Sequence, residues 1–256
     1  MGSFCETSKK PLYHTIGGIT NKIPVGAAIG IQSDEYQLLT KIQQLLDEGY
    51  QRIKLKIKPN QDLHILEKVR EHFPDTPLMV DANAAYTLKD IEHLKQLDQY
   101  NLMMIEQPLA HDDLIDHAEL QAQIHTPICL DESINTLADV KAAIALKSCK
   151  VISIKLAKVG GITNAIAIHD YCEHHHIPVW CGGGMLEAGG VGRAQSLALA
   201  TLPNFQFPAD PGASNRYWHK DIITPEVEVH DGYVTLPDQP GIGYELNLSA
   251  PQKVLI

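Results

Sequence analysis

Two lysines and three carboxylates recur along this chain at nearly constant intervals: Lys56, Asp81, Glu106, Asp131 and Lys155 are separated by 25, 25, 25 and 24 residues. Each closes a short apolar run, so each carries a charge to the end of a segment whose composition favours burial. An unpaired carboxylate in such a place is costly unless a cation answers it, so three together point to function rather than to solvated loops. With no His or Cys among them, Asp81, Glu106 and Asp131 offer only oxygen donors, the preference of Mg²⁺, with Mn²⁺ as a substitute, and not of zinc. Lysines flank the trio. Lys54, Lys56 and Lys58 alternate along one run and so share a face, and Lys155 ends the run beyond Asp131. Beside a divalent cation and away from water, a lysine pKa is expected to fall toward neutrality, which makes the amine usable as a general base. Such bases suit removal of a proton α to a carboxylate while the cation stabilises the enediolate oxygens.

The elements that must position these side chains show the same beat. Apolar, β-branched-rich runs at Pro24 to Ile31, Ile53 to Ile57, Leu78 to Asp81, Leu102 to Glu106, Ile128 to Asp131, Val151 to Lys155 and Pro178 to Cys181 read as buried strands. Helical patterns lie between them. Ser33 or Asp34 caps the first, Leu38, Leu39, Ile42, Leu45 and Leu46 form its apolar face, and Gly49 stops it. Thr87 opens a segment with Ile91, Leu94 and Leu97 on one face, and Thr136 opens another with Val140, Ala143, Ile144 and Leu146. Seven strands with one helix between each, and an eighth expected at Phe205 to Pro208, predict an α/β fold closed into a (β/α) barrel, whose catalytic side chains gather at the strands' C-terminal ends. A doubly wound open sheet is the alternative. Beyond Thr224, the alternation of Val227, Val229, Tyr233, Val234 and Leu236 around Asp231-Gly232 predicts a β-hairpin outside the barrel repeat.

Bulk properties exclude several functions. A formal charge of −10 over 256 residues disfavours nucleic-acid and anionic-membrane partners. No apolar run approaches the ~20 residues of a membrane-spanning helix. Five scattered cysteines without a C-x-x-C spacing fit a reducing cytoplasm better than a disulfide framework. No targeting segment is read at the N-terminus, where Glu6 stands in place of the Ser or Thr of a myristoylation signal. His174-His175-His176, with Cys172 nearby, evokes a zinc site, but consecutive histidines at a helix end cannot all face one ion, and favourable placement at the C-terminal dipole explains them.

The segments Lys54-Leu55-Lys56, Val80-Asp81-Ala82-Asn83, Ile105-Glu106-Gln107-Pro108, Leu130-Asp131-Glu132-Ser133 and Ile154-Lys155 resemble the muconate-lactonising subgroup of the enolase superfamily from about residue 11 onward. Trp180-Cys181-Gly182-Gly183-Gly184-Met185-Leu186-Glu187, with Gly192-Arg193-Ala194 and Pro203-Asn204-Phe205, narrows the likeness to o-succinylbenzoate synthases that also racemise N-succinylamino acids. The resemblance implies Mg²⁺ on Asp81, Glu106 and Asp131. It implies Lys56 and Lys155 as the acid/base pair and Lys54 as a polariser of the substrate carboxylate. Asn83, Gly183, Gly184, Met185 and Glu187 are the candidate substrate contacts, and the glycines' backbone N–H groups are free of a Cβ that would block approach. One glycine more than the family pattern in each of Gly182-Gly183-Gly184 and Gly189-Gly190 predicts a loosened pocket.

The implied activity is that of a carbon-oxygen lyase of menaquinone biosynthesis acting on a small carboxylate: Lys56 removes the α-proton and returns it to the departing hydroxyl, while Lys155 stabilises the enediolate. Competing expectations are an N-acylamino acid racemase or dipeptide epimerase on the same site, a Schiff-base aldolase using Lys155, and a catalytically impaired barrel. The last arises because the resemblance implies an N-terminal α+β cap, whereas only Met1 to Lys10 precede the match. Residues 1–22 read as a remnant leading into the barrel, 23–223 as the barrel and 224–256 as a tail that packs on such a cap, with a second copy or a separately encoded cap as possible partners.

Overall fold

The computed structural model describes residues 9–184 and 187–247. In chain order these form α1 (Leu12–Thr15), β1 (Lys22–Pro24), β2 (Ala27–Ile29), α2 (Glu35–Asp47), β3 (Ile53–Lys56), α3 (Asp62–His72), β4 (Leu78–Asp81), α4 (Ile91–Leu94), β5 (Ile105–Glu106), α5 (Ile115–Gln123), β6 (Ile128–Leu130) and α6 (Leu137–Leu146). There follow β7 (Val151–Ile154), α7 (Ile162–His174), β8 (Val179–Cys181), α8 (Gly190–Leu199), β9 (Ile223–Thr224), β10 (Tyr233–Thr235) and β11 (Glu245–Leu246). Among the described residues no helix is long and apolar enough to cross a membrane.

Strands β2 to β8 make one parallel sheet in sequence order. The eighth strand expected at Phe205 to Pro208 is not a regular strand. The segment instead bridges both sheet edges, Phe205 to Val179 and Ala209 to Val25, and so closes the ring. Prolines at 203, 208 and 211 explain the irregularity, since each lacks the N–H that a ladder requires.

The sheet divides two cores. Ile53, Leu55, Val80, Ile105, Leu130, Ile152, Ile154 and Val179 join the large cluster that includes the helices' Ile42, Leu66, Leu120, Val140 and Ile168. Met79, Met104, Cys129, Val151 and Trp180 form a second, small cluster that fills the barrel's interior. The two-residue period of each strand therefore assigns the functional charges, which share parity with the interior set, to the inside.

Equal spacing in sequence does not mean equal height. Lys56 lies opposite Asp81 and Asp81 opposite Glu106, but Glu106 lies opposite Cys129, two residues before Asp131. Leu130 lies opposite Ile152, so Lys155 is raised a further two residues above the level of Asp131. The five charges therefore do not stand at one height: Lys56, Asp81 and Glu106 are level, and Asp131 and Lys155 each climb two residues further. Each step keeps the side chain inside while supplying the stagger that a barrel needs to close.

The helix signals are mostly confirmed. Asp34 caps α2 by accepting the Gln37 N–H at 2.8 Å, and Gly49 ends the turn at φ +87°. Thr136 and Asp139 form a capping box on α6. The segment after Thr87 is less regular than its pattern, because only Ile91–Leu94 is α-helical between two 3₁₀ stretches, Leu88–Asp90 and Lys95–Tyr100. The predicted tail hairpin shrinks to a bridge between His230 and Tyr233 around Asp231 and Gly232, both at positive φ. Its second arm, β10, pairs with β1 instead, because Lys22 to Pro24 present a free edge.

Candidate active site

In a ring of seven strands plus the closing segment, β3 and β7 are four places apart, which puts the Lys56 and Lys155 strand ends on opposite sides of the mouth. The strands between them carry Asp81, Glu106 and Asp131 in turn. All three carboxylates are buried.

On the β3 side, Arg52, Lys54 and Lys56 alternate up the interior. Arg52 and Lys54 stack over the Trp180 ring at 5.3 and 4.7 Å. Lys54 is almost wholly buried, and its Nζ lies 2.7 Å from Asp210, 3.1 Å from Glu106 and 3.8 Å from Asp81. Burial alone would pull its pKa down, but Asp210, Glu106 and Asp81 outweigh it and hold Lys54 well above the usual lysine range. Lys54 is thus a fixed positive charge. Lys56 is one third exposed, 2.5 Å from Asp81 Oδ2, and also donates to Asn83 Oδ1. Asn83 Nδ2 donates to Glu132 at 2.9 Å, which fixes the amide so that its oxygen faces the lysine. Lys58, expected on the same face, is exposed beyond the strand end.

On the β7 side, Lys155 is more enclosed. Its Nζ donates to Asp131 Oδ2, while Lys158 Nζ approaches Asp131 Oδ1 at 2.5 Å. A Cβ at Gly182 would run into Ser153 Oγ and the Lys155 chain, so glycine is required there to seat the lysine. The loosened pocket expected from the extra glycine is not what Gly182 shows, because that residue is packed. The fall of the lysine pKa was expected beside a divalent cation; in the chain alone the carboxylates act the other way. Burial lowers Lys155, but Asp131 and Glu106 raise it more. Asp131 is held below the usual carboxylate range by Lys155 and Lys158, against the opposing pull of burial.

Glu106 differs from its neighbours. Burial pushes its carboxyl up to about 8 despite the pull of Lys54, and its Oε1 has no hydrogen-bond partner. An orphaned buried carboxylate oxygen between two other carboxylates fits a hard divalent cation. The three do not yet converge. Among the described residues only His169, Asp170 and Glu173 bring three such ligand atoms within 4.8 Å of one another, while lysine ammoniums take the oxygens of the trio. A cation there competes with those lysines for the same oxygens. The His169 group itself is closed to a metal: Nε2 accepts the Asn204 N–H at 3.1 Å, so Nδ1 carries the proton it gives to Asp170. His174, His175 and His176 are exposed on the helix end and its following turn.

Arg52, Asp210 and Lys158 are among the site residues that sequence reasoning missed. Asp210 lies on the closing segment and pairs with Arg52 at 2.9 Å as well as with Lys54; these cations hold its carboxyl far below the usual range in spite of burial. The Pro208-Ala209-Asp210-Pro211 sequence carried a signal, a carboxylate at the end of the expected eighth strand. Lys158 follows Lys155 by three residues in the same turn. With them the cluster holds five cations, Arg52, Lys54, Lys56, Lys155 and Lys158, against four carboxylates.

Of the other candidate contacts, Asn83 is committed to Lys56 and Glu132. Glu187 is buried and accepts the Ala157 N–H at 3.0 Å, tying two mouth loops together. Gly183 lies over Asp210, Gly184 lies beside Glu187, and Met185 is outside the described residues.

The fold that carries these charges is shared with solved structures. The chain superposes on a member of the enolase superfamily from Listeria innocua with a TM-score of 0.93 at 47% identity, over 96% of this chain and 66% of that one. Residues 37–250 match the enolase C-terminal domain-like family, and the chain belongs to it. It is 54% identical to an o-succinylbenzoate synthase of Geobacillus stearothermophilus, over 93% of this chain and 63% of the relative. It is also 45% identical to an N-succinylamino acid racemase of Thermus thermophilus, over 96% of this chain and 66% of that protein. The chain thus spans just under two thirds of the length of these relatives.

Proposed function

We propose that this chain is the catalytic barrel of a Mg²⁺-dependent o-succinylbenzoate synthase, a carbon-oxygen lyase. One observation carries the reading: Lys56 and Lys155 stand on opposite sides of a mouth whose intervening strands present Asp81, Glu106 and Asp131. The family relationship and the synthases among its relatives support it.

Asp81, Glu106 and Asp131 would hold the ion, Mg²⁺ or Mn²⁺, which when bound supplies positive charge to the substrate carboxylate and acidifies its α-carbon. An ion on those oxygens would share Asp81 and Asp131 with Lys56 and Lys155 and so weaken the two pairs. Lys56, facing solvent and steadied by Asn83, takes the α-proton as a neutral amine and returns it to the departing β-hydroxyl, so that the products are the alkene and water. Lys155, enclosed and cationic, stabilises the negative charge that develops on the carboxylate. Lys54, still paired with Asp210, would polarise the same group.

The opposed lysines equally favour racemisation of an N-succinylamino acid, in which one removes the proton and the other delivers it to the other face. The racemases among the relatives support this second activity. Purified chain with Mg²⁺ is expected to convert the cyclohexadiene carboxylate precursor to o-succinylbenzoate, and Lys56→Ala to lose that conversion. Turnover by Lys56→Ala would refute the assignment.

A further inference from the structure

Gln107 follows the carboxylate of Glu106 directly and is fully buried, yet it takes a left-handed φ of +37°. A bulky residue keeps that conformation only where its surroundings over-determine it. Here they do. The side-chain carbonyl accepts the backbone N–H of Asp131 at 3.0 Å and of Ser133 at 3.2 Å. The side-chain amide donates to Ser133 Oγ at 2.8 Å, Leu109 O at 3.1 Å and Ala110 O at 3.4 Å. Its backbone donates to Cys129 O and accepts from the N–H of Ala84, in the loop beyond Asp81. One residue is therefore bonded to the turns that follow all three carboxylates.

Resting on the metal-site reading above, we propose that Gln107 is a positioning residue for the cation site. It does not touch the ion. It fixes how far the Asp131 carboxylate stands from that of Glu106, through a direct bond to the Asp131 peptide. The stagger between β5 and β6 makes this necessary: Asp131 lies two residues above the level of Glu106, beyond the last ladder pair, where no strand bond holds it. The Asp131 N–H has the Gln107 carbonyl as its partner in place of a neighbouring strand.

The test is Mn²⁺ binding to the full chain, followed by the loss of the free-ion EPR signal, alongside thermal melting of the metal-free protein. Gln107→Leu, close in size but without either hydrogen-bonding group, is expected to weaken Mn²⁺ binding at least tenfold and to alter the spectrum of the bound ion. Ser133→Ala, which removes one acceptor from the Gln107 amide, is expected to weaken it two- to fivefold, and decides the matter if the leucine variant does not fold. A brace with no bearing on the ion would lower the metal-free melting temperature and leave Mn²⁺ affinity and spectrum unchanged. Affinity within twofold of wild type in the folded variant overturns the proposal. A wild-type chain that binds no Mn²⁺ overturns the metal-site reading itself, and this inference with it.

Discussion

Lys56 and Lys155 end strands on opposite sides of one mouth, but their settings differ. Lys56 is one third exposed, with one carboxylate and one neutral amide as partners. Lys155 is packed over Gly182, shares Asp131 with Lys158, and is pushed toward the ammonium form. The difference shows how one symmetric-looking pair can serve an asymmetric reaction. In the elimination, the open lysine is suited to carry a proton from carbon to a leaving hydroxyl and the enclosed one to act as a charge.

The most forceful way to break that comparison is to delete each lysine. We expect Lys56→Ala to cost the elimination roughly 10³-fold or more in kcat, and Lys155→Ala about tenfold less, as for lost general base and lost electrostatic stabilisation respectively. Equal losses would remove the asymmetry. Gly182→Ala should act on the Lys155 side alone: the added methyl displaces that lysine, and turnover should fall roughly 10- to 100-fold, with the fold retained by circular dichroism.

A third change addresses the shared floor. Asp210→Asn removes a carboxylate whose folded pKa lies below its ordinary value of 3.8. Its stabilisation is therefore full above about pH 4 and is lost as pH falls through the depressed folded value. The variant should be less stable at pH 7 by about 3 kcal/mol, the cost of breaking a buried pair. It should also lose less further stability on acidification than the wild type, as read by urea melts between pH 3 and 7. The smallest effect lies far from the mouth. Thr136→Ala should cost about 1 kcal/mol from the lost α6 cap and leave activity unchanged.

Much of this site was legible because barrels repeat. The interval between Lys56, Asp81 and Glu106 is one strand-helix unit, and apolar parity assigns each charge to the inner wall. The climb to Asp131 and Lys155 was hidden, since a shorter in-register interval and a later position along the strand give the same spacing in sequence. Asp210 and Gln107 were missed for another reason. Their roles depend on contacts across the ring, with Lys54 and with the Asp131 peptide, and no local pattern records such partners. The tail hairpin failed likewise, because its turn residues were read correctly while the competing edge at Lys22 to Pro24 lay more than 200 residues earlier.

The claim at the centre is that two lysines face one α-carbon from opposite sides under a divalent cation held by Asp81, Glu106 and Asp131. The direct measurement is α-proton exchange in D₂O, followed by NMR on each enantiomer of an N-succinylamino acid with Mg²⁺ present. Wild type should exchange both enantiomers, Lys56→Ala should retain exchange for one, Lys155→Ala for the other, and chelation should abolish all of it. Exchange of both enantiomers by either single variant, or exchange that survives chelation, would contradict the opposed-lysine site.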